Sequence, residues 1–233
     1  MSASGATTMS STLFVGGLVP TTTVDYPGYI SAVVFLQGCP WQCVYCHNRH
    51  LQSILPSESL PWEDVLKLLE LRAGFLEAVV FSGGEPLVQE MLPQAIADVK
   101  RIGLLVGLHT AGANPKMLAR VIRSVNWIGF DVKHAFDDYH LITNVKDSGK
   151  LALESLSMVI ESDVDFEVRI TVHESIETDS LLDTLKVLSG MGVKTVALQK
   201  CRDKDEFVVE HPVFSDRLLL EEVSKYFDGF YIR

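Results

Sequence analysis

A strand-then-helix rhythm constrains this chain more than any other feature of its sequence. Short apolar, β-branched runs occur at Ser31–Leu36, Ala78–Phe81, Leu104–Leu108, Trp127–Val132, Phe166–Val172 and Lys194–Leu198. Helical periodicity fills most of the gaps between them. Trp62, Val65, Leu66, Leu69 and Ala73 share one helical face, with Pro61 in the first turn. Further stripes run through Leu92, Ala95, Ile96 and Val99, through Met117, Leu118, Val121 and Ile122 after Pro115, through Leu156, Val159 and Ile160, and through Leu182, Leu185 and Leu188. Strands alternating with helices predict a parallel sheet with helices packed outside it. About six such units fit the length, whereas a complete eight-unit barrel typically takes ~250 residues. The expected fold is therefore α/β, a partial (β/α)6 TIM-like barrel, with an open doubly wound sheet as the alternative. In a barrel the loops after the strand C-termini carry the site. Cys39, Gly83, Thr110 and Lys133 stand at such positions.

Composition narrows the function classes. The chain has 233 residues, 47% apolar and 21% charged, which is an ordinary globular balance. Its net charge of −10 disfavours a phosphate backbone, so no nucleic acid is expected as a partner. No apolar run approaches the ~18 residues of a membrane span. Met1 to Thr12 is rich in Ser, Thr and Ala and has no Lys or Arg, and the apolar stretch from Leu13 to Val19 is broken by Gly16 and Gly17. That is not the pattern of a signal peptide. The expectation is a flexible tail over 1–12, a single domain over 13–233, and a cytoplasmic protein.

Three of the four cysteines fall within eight residues, in Gly38-Cys39-Pro40-Trp41-Gln42-Cys43-Val44-Tyr45-Cys46-His47-Asn48. Such clustering points to metal or redox chemistry rather than a disulfide framework. Thiolates at C-x3-C-x2-C spacing can hold three irons of a cubane and leave the fourth without a protein ligand. The alternatives are structural zinc, completed by His47 or His50, and three unrelated buried thiols. Cys201, after the last strand, reads as a lone thiol.

One strand further on stands Phe81-Ser82-Gly83-Gly84-Glu85-Pro86. Two glycines at a strand end allow a ligand to approach the backbone closely. Taken together, Cys39-x3-Cys43-x2-Cys46 and Gly83-Gly84-Glu85-Pro86 resemble the radical S-adenosylmethionine (radical SAM) superfamily. Asp25-Tyr26-Pro27-Gly28, Gln37-Gly38-Cys39, Tyr45-Cys46-His47-Asn48, Asp131-Val132-Lys133 and the stretch from Phe166 to His173 are similar to the activating enzymes of glycyl-radical proteins. Within that branch the similarity is to those serving the anaerobic ribonucleoside-triphosphate reductase, in their longer form. It runs from about Val19 to the C-terminus.

The resemblance implies a radical SAM core and two cofactors, a [4Fe-4S] cluster and S-adenosyl-L-methionine. Cys39, Cys43 and Cys46 would hold the cluster, and the methionine amine and carboxylate would chelate its open iron. Gly83, Gly84 and Glu85 would line the amine, Tyr45 and His47 the adenine, and Asp131 and Lys133 the carboxylate or ribose. Arg169 is a further candidate beside a plain barrel-wall ion pair. The implied chemistry is one-electron cleavage to a 5′-deoxyadenosyl radical that takes a hydrogen atom from substrate, so no acid–base residue is named. The implied partners are a glycyl-radical enzyme, the anaerobic ribonucleotide reductase, and a flavodoxin- or ferredoxin-type electron donor.

The chain departs from that branch after the third strand. His109-Thr110-Ala111-Gly112 stands where Asp-Thr-Asn-Gly is common, so no cation site is carried over. His109 is either a cofactor contact or a polar residue at the barrel mouth. Two other functions stay open. One is radical chemistry on a small molecule, as in deazaguanine-type synthases, although those usually carry Asp where His47 stands. The other is a zinc-stabilised binding module without catalysis.

Overall fold

The computed structural model describes residues 12–54, 59–202, 205 and 207–233. Apart from Thr12, the tail expected over 1–12 lies outside the described residues. One eight-stranded sheet organises the chain: β1 (Val15–Thr22), β2 (Ser31–Leu36), β3 (Ala78–Gly83), β4 (Leu105–Thr110), β5 (Trp127–Val132), β6 (Asp165–Val172), β7 (Thr195–Lys200) and β8 (Gly229–Ile232). Its spatial order is the sequence order. β1 runs antiparallel to β2, and every later pair is parallel. A doubly wound sheet reverses its strand order at a switch point. This order never reverses, and among the described residues no pairing joins β1 to β8, so the sheet is the wall of an open barrel.

Among the described residues seven α-helices lie along the crossovers: α1 (Trp62–Arg72), α2 (Leu92–Arg101), α3 (Pro115–Val121), α4 (Tyr139–Thr143), α5 (Ser148–Ile160), α6 (Thr178–Gly190) and α7 (Arg217–Ser224). Their starts follow local chemistry. Asn114 caps α3 by accepting from the Met117 N–H, with Pro115 next in line. α1 follows Pro61, carries Glu63 and Asp64 in its first turn and Arg72 in its last, and so complements its dipole.

Each of the six expected strands is present, and the expected helical stripes face the sheet. In α6 the stripe passes through Leu181, Leu185 and Leu188, with Leu182 only half-buried. Two strands and two helices go beyond the expectation. β1 contains Gly16, Gly17 and Pro20 and is half-exposed, so it shows little apolar alternation. β8 is four residues long, α4 five. α7 buries only Val223, too little for a stripe. No helix among the described residues is long and apolar enough to cross a membrane.

Alternation along each strand separates two cores. Val34, Val79, Phe81, Val106, Leu108, Ile128, Phe130, Val168, Ile170 and Val196 face outward and join the helical stripes in one large apolar cluster. The inward side holds a small one: Tyr26, Val33, Ala78, Val80 and Trp127. Pro27 and Gly28 place Tyr26 there. Gly28 has φ +82° and the Tyr29 N–H donates to the Tyr26 carbonyl, the pattern of a type II turn. The Tyr26 ring then lies 5.3 Å from Trp127 and packs against Gly107.

Candidate active site

Above that apolar floor the inward face becomes polar. β5 contributes Asp131 and, just past its end, Lys133. β6 contributes Glu167, Arg169 and Thr171, β4 contributes His109, and β7 contributes Gln199. Arg169 donates to two acceptors: Nε to Asp131 Oδ1 at 3.1 Å and Nη2 to the Gly129 carbonyl at 3.1 Å; its Nη1 lies beside His109 Nε2 at 3.2 Å. Gly129 makes this possible, because a Cβ there would overlap the guanidinium. Lys133 Nζ donates to Asp131 Oδ2 at 3.1 Å and sits 5.8 Å from the centre of the Tyr45 ring. Burial alone would raise the Asp131 pKa, but the adjacent Lys133 and Arg169 charges hold it down at about 2. Asp131 lifts Lys133 well above the ordinary lysine range against the opposing effect of burial. Burial and the Arg169 charge push His109 down to about 3, so its ring is neutral. His109 Nε2 lies 2.8 Å from the Asp25 carbonyl, which can only accept, so Nε2 carries the proton and donates it.

The cysteine loop closes this chamber at the C-terminal end of β2. Gly83 and Gly84 bring it there. A Cβ on Gly83 would collide with the Leu36 backbone, and one on Gly84 with the Gly38 carbonyl. The Gly84 N–H donates to the Leu36 carbonyl at 2.9 Å and the Glu85 N–H to the Gly38 carbonyl at 2.8 Å. Both amide protons therefore anchor the loop. The buried Glu85 carboxylate accepts from Thr110 Oγ1 at 2.6 Å, the Ala111 N–H at 2.9 Å and the Leu87 N–H at 3.1 Å. Burial raises its pKa despite these three donors.

A cavity of about 350 Å³ opens where these parts meet, within the size range of cofactor sites. It is lined by Cys39, Cys43 and Cys46, by Tyr45 and His47, by Gly83, Gly84 and Glu85, and by Asp131 and Lys133. Every site residue expected from the sequence thus reaches one chamber. His109 lines it as well, whereas Arg169 stands behind Asp131. Cys201 lines a neighbouring cavity of about 510 Å³, which shares Tyr45, Cys46 and His47 with the first and is bounded by His173 and Glu174. The Tyr45 hydroxyl is buried without a hydrogen-bond partner among the described residues, and its ring lies 5.5 Å from that of His173 at a tilt of 33°.

The donor set suits a cubane cluster. Burial raises Cys39 to about 12 and moves Cys43 upward, while the Lys133 charge opposes both. Protonated thiols of this kind lose their protons on metal binding. Among the described residues, no three His, Cys, Asp or Glu side chains converge to hold a single ion. Three cysteines lining one cavity supply the soft thiolate donors that an iron–sulfur cluster takes.

The Radical SAM superfamily profile matches residues 33–188, from the first parallel strand to the helix before β7. The chain belongs to the radical SAM superfamily. Its cofactors are those of the family, a [4Fe-4S] cluster and S-adenosylmethionine. A Methanocaldococcus jannaschii protein, provisionally named a glycyl-radical enzyme activating enzyme, is 29% identical over 94% of this chain and 95% of its own length. The pyruvate formate-lyase-activating enzyme of Clostridium pasteurianum is 34% identical over 60% of this chain and 59% of its own. Among solved structures, Streptococcus suis SuiB bound to S-adenosylmethionine superposes with a TM-score of 0.66 at 11% identity, over 84% of this chain and 48% of that one. That likeness is one of fold.

Several residues of the chamber escaped the sequence reading. Ser82, Thr171 and Gln199 line it, and period-2 alternation upward from Arg169 and Ala197 would have placed the last two. Tyr139 accepts from the Lys133 N–H at 3.0 Å and donates to the Asp131 carbonyl at 3.3 Å. No motif marks it. Glu167 pairs with Arg233 through two bonds of 2.8 and 2.9 Å, inside the barrel and 66 residues apart in sequence.

Proposed function

We propose that this chain is a radical SAM activase that generates a glycyl radical on a partner protein, an anaerobic ribonucleotide reductase. The observation that carries the reading is the single chamber at the strand C-termini, where the three cysteines, the Gly-Gly-Glu turn and the Asp131–Lys133 pair all meet. Similarity over nearly the full length of a relative named for glycyl-radical enzyme activation supports the reaction class. The Cys-His-Asn and Asp-Tyr-Pro-Gly words support a glycyl-radical protein as the partner.

Residue roles follow from placement. Cys39, Cys43 and Cys46 hold the cluster. Lys133 spends one of its three donors on Asp131 and offers the rest to a carboxylate. The turn at Gly83, Gly84 and Glu85 lines the methionine amine, and Tyr45 and His47 flank the adenine. When bound, the two cofactors supply one-electron cleavage of a sulfonium and abstraction of a hydrogen atom from substrate. The chain itself orients the reacting groups and keeps water from them, as one domain over 13–233. Its electron donor is of flavodoxin or ferredoxin type.

The test mixes anaerobically reconstituted, reduced protein with S-adenosylmethionine and a candidate anaerobic reductase. A glycyl-radical doublet by electron paramagnetic resonance is expected. Cofactor cleavage without a radical on the reductase rejects that partner, and loss of all cleavage rejects the roles given to the three cysteines.

A further inference from the structure

The cysteine loop is braced from behind by a helix with no counterpart in the sequence motifs. The Gln42 N–H donates to the Thr143 carbonyl at 2.9 Å and the Val44 N–H to the Ile142 carbonyl at 3.0 Å. Both acceptors are last-turn carbonyls of α4, which have no partner within the helix. Asn144, the residue after α4, adopts the left-handed conformation at φ 55° and turns its side chain back, so that Nδ2 donates to the Gln42 carbonyl at 2.8 Å. Gln42 is therefore held at both its N–H and its C=O. The same helix begins with Tyr139, whose ring meets the buried Trp41 edge-on at 5.7 Å and whose hydroxyl ties to Asp131 and Lys133. The buried Thr143 and Ser148 hydroxyls, 2.7 Å apart, fix the far side.

We propose that α4 is a positioning element for the cluster, with Asn144 as its decisive side chain. It sets the loop between Cys39 and Cys46 in place before loading, and it takes up the amide protons on either side of Cys43 that would otherwise be free to reach sulfur. Hydrogen bonds to cluster sulfur raise the reduction potential, because they stabilise the more negative, reduced state. By committing the Gln42 and Val44 amides elsewhere, α4 keeps the potential low, as suits a one-electron donor to a sulfonium. This rests on the reading of the three cysteines as cluster ligands.

The experiment compares the reconstituted full chain with Asn144→Gly and Asn144→Asp. Gly keeps the left-handed backbone and loses the amide; Asp keeps the shape and loses the donor. Both variants are expected to release iron to a chelator about tenfold faster, at the low end of the effect of losing a partner behind a metal ligand. Losing the bond to the Gln42 carbonyl loosens the loop against α4 and lets its two amides swing toward sulfur, so both should also show a midpoint potential shifted upward. Thermal unfolding of the metal-free Gly variant should match wild type, which separates positioning from general destabilisation and keeps the test standing if the Asp variant folds poorly. Wild-type iron release and potential in the Gly variant overturn the inference alone. A wild-type chain that takes up neither iron nor sulfide overturns the ligand reading and the inference with it.

Discussion

On β5, Ile128 and Phe130 point into the helical layer, while Trp127, Gly129 and Asp131, one residue out of step, point into the barrel. The outer set is wholly apolar and joins the large core. The inner set begins with one aromatic ring on the floor, continues with a glycine that yields its space to Arg169, and ends in a carboxylate shared between two cations. The other parallel strands repeat the pattern. Val34, Phe81, Leu108 and Ile170 face out, while Ser82, His109 and Arg169 face in. Burying apolar area stabilises a fold without directing chemistry. A polar interior costs desolvation unless every group is paired, and here the pairs converge on the mouth that holds the cysteines. Stability and function are thus divided between the two faces of one sheet, and substitutions should separate them.

The largest effect is expected at the mouth. Cys43→Ser should abolish iron binding and cofactor cleavage while leaving the thermal unfolding of the metal-free chain close to wild type, because Cys43 is only half-buried. Iron and sulfide analysis beside a thermal melt checks this, and retained iron with retained cleavage would break the division. On the outer face Phe130, fully buried, should show the reverse. Phe130→Ala should cost about 3–5 kcal/mol in urea unfolding, with the iron content of the folded fraction unchanged.

The outer face was legible because periodicity is a property of one face. Apolar residues two apart on strands and three or four apart on helices mark a side that touches only other apolar groups. The cysteine loop and the Gly-Gly-Glu turn were legible as local words. The bracing elements were not. Asn144 and Tyr139 lie about a hundred residues beyond the loop they support, in a five-residue helix that carries no stripe. The Arg233–Glu167 pair joins strands that only the assembled sheet brings together. Their partners are set by tertiary closure, which leaves no spacing to read. His109, open between two readings, proved to line the chamber and also to anchor the turn at Asp25.

Within the inner face the network should be graded. Arg169→Met removes the group that supports the Asp131 carboxylate and faces His109, leaving Lys133 as its one ion-pair partner among the described residues. A loss of about 1–3 kcal/mol is expected, as for a buried charged group deprived of a donor. It should appear as a lower urea midpoint at unchanged slope.

The effect that is smallest at neutral pH carries a definite sign. His109 is held neutral, with its pKa moved from 6.5 down to about 3 by burial and by the Arg169 charge. Between those values the unfolded chain binds a proton there that the folded chain does not. Stability therefore rises with pH across the window, is complete above about 6.5, and is lost progressively as pH falls toward about 3. One such group contributes at most about 1.4 kcal/mol per pH unit to the slope. His109→Gln can keep a donor for the Asp25 carbonyl and does not titrate, so it should flatten the dependence of unfolding free energy on pH between about 6 and 4 while leaving stability at pH 8 nearly unchanged. An undiminished slope in that variant would mean that the inner face is not sealed around His109. It would then be an ordinary solvated histidine, and the sharp contrast between a charge-filled interior and a dry outer core would not hold at β4.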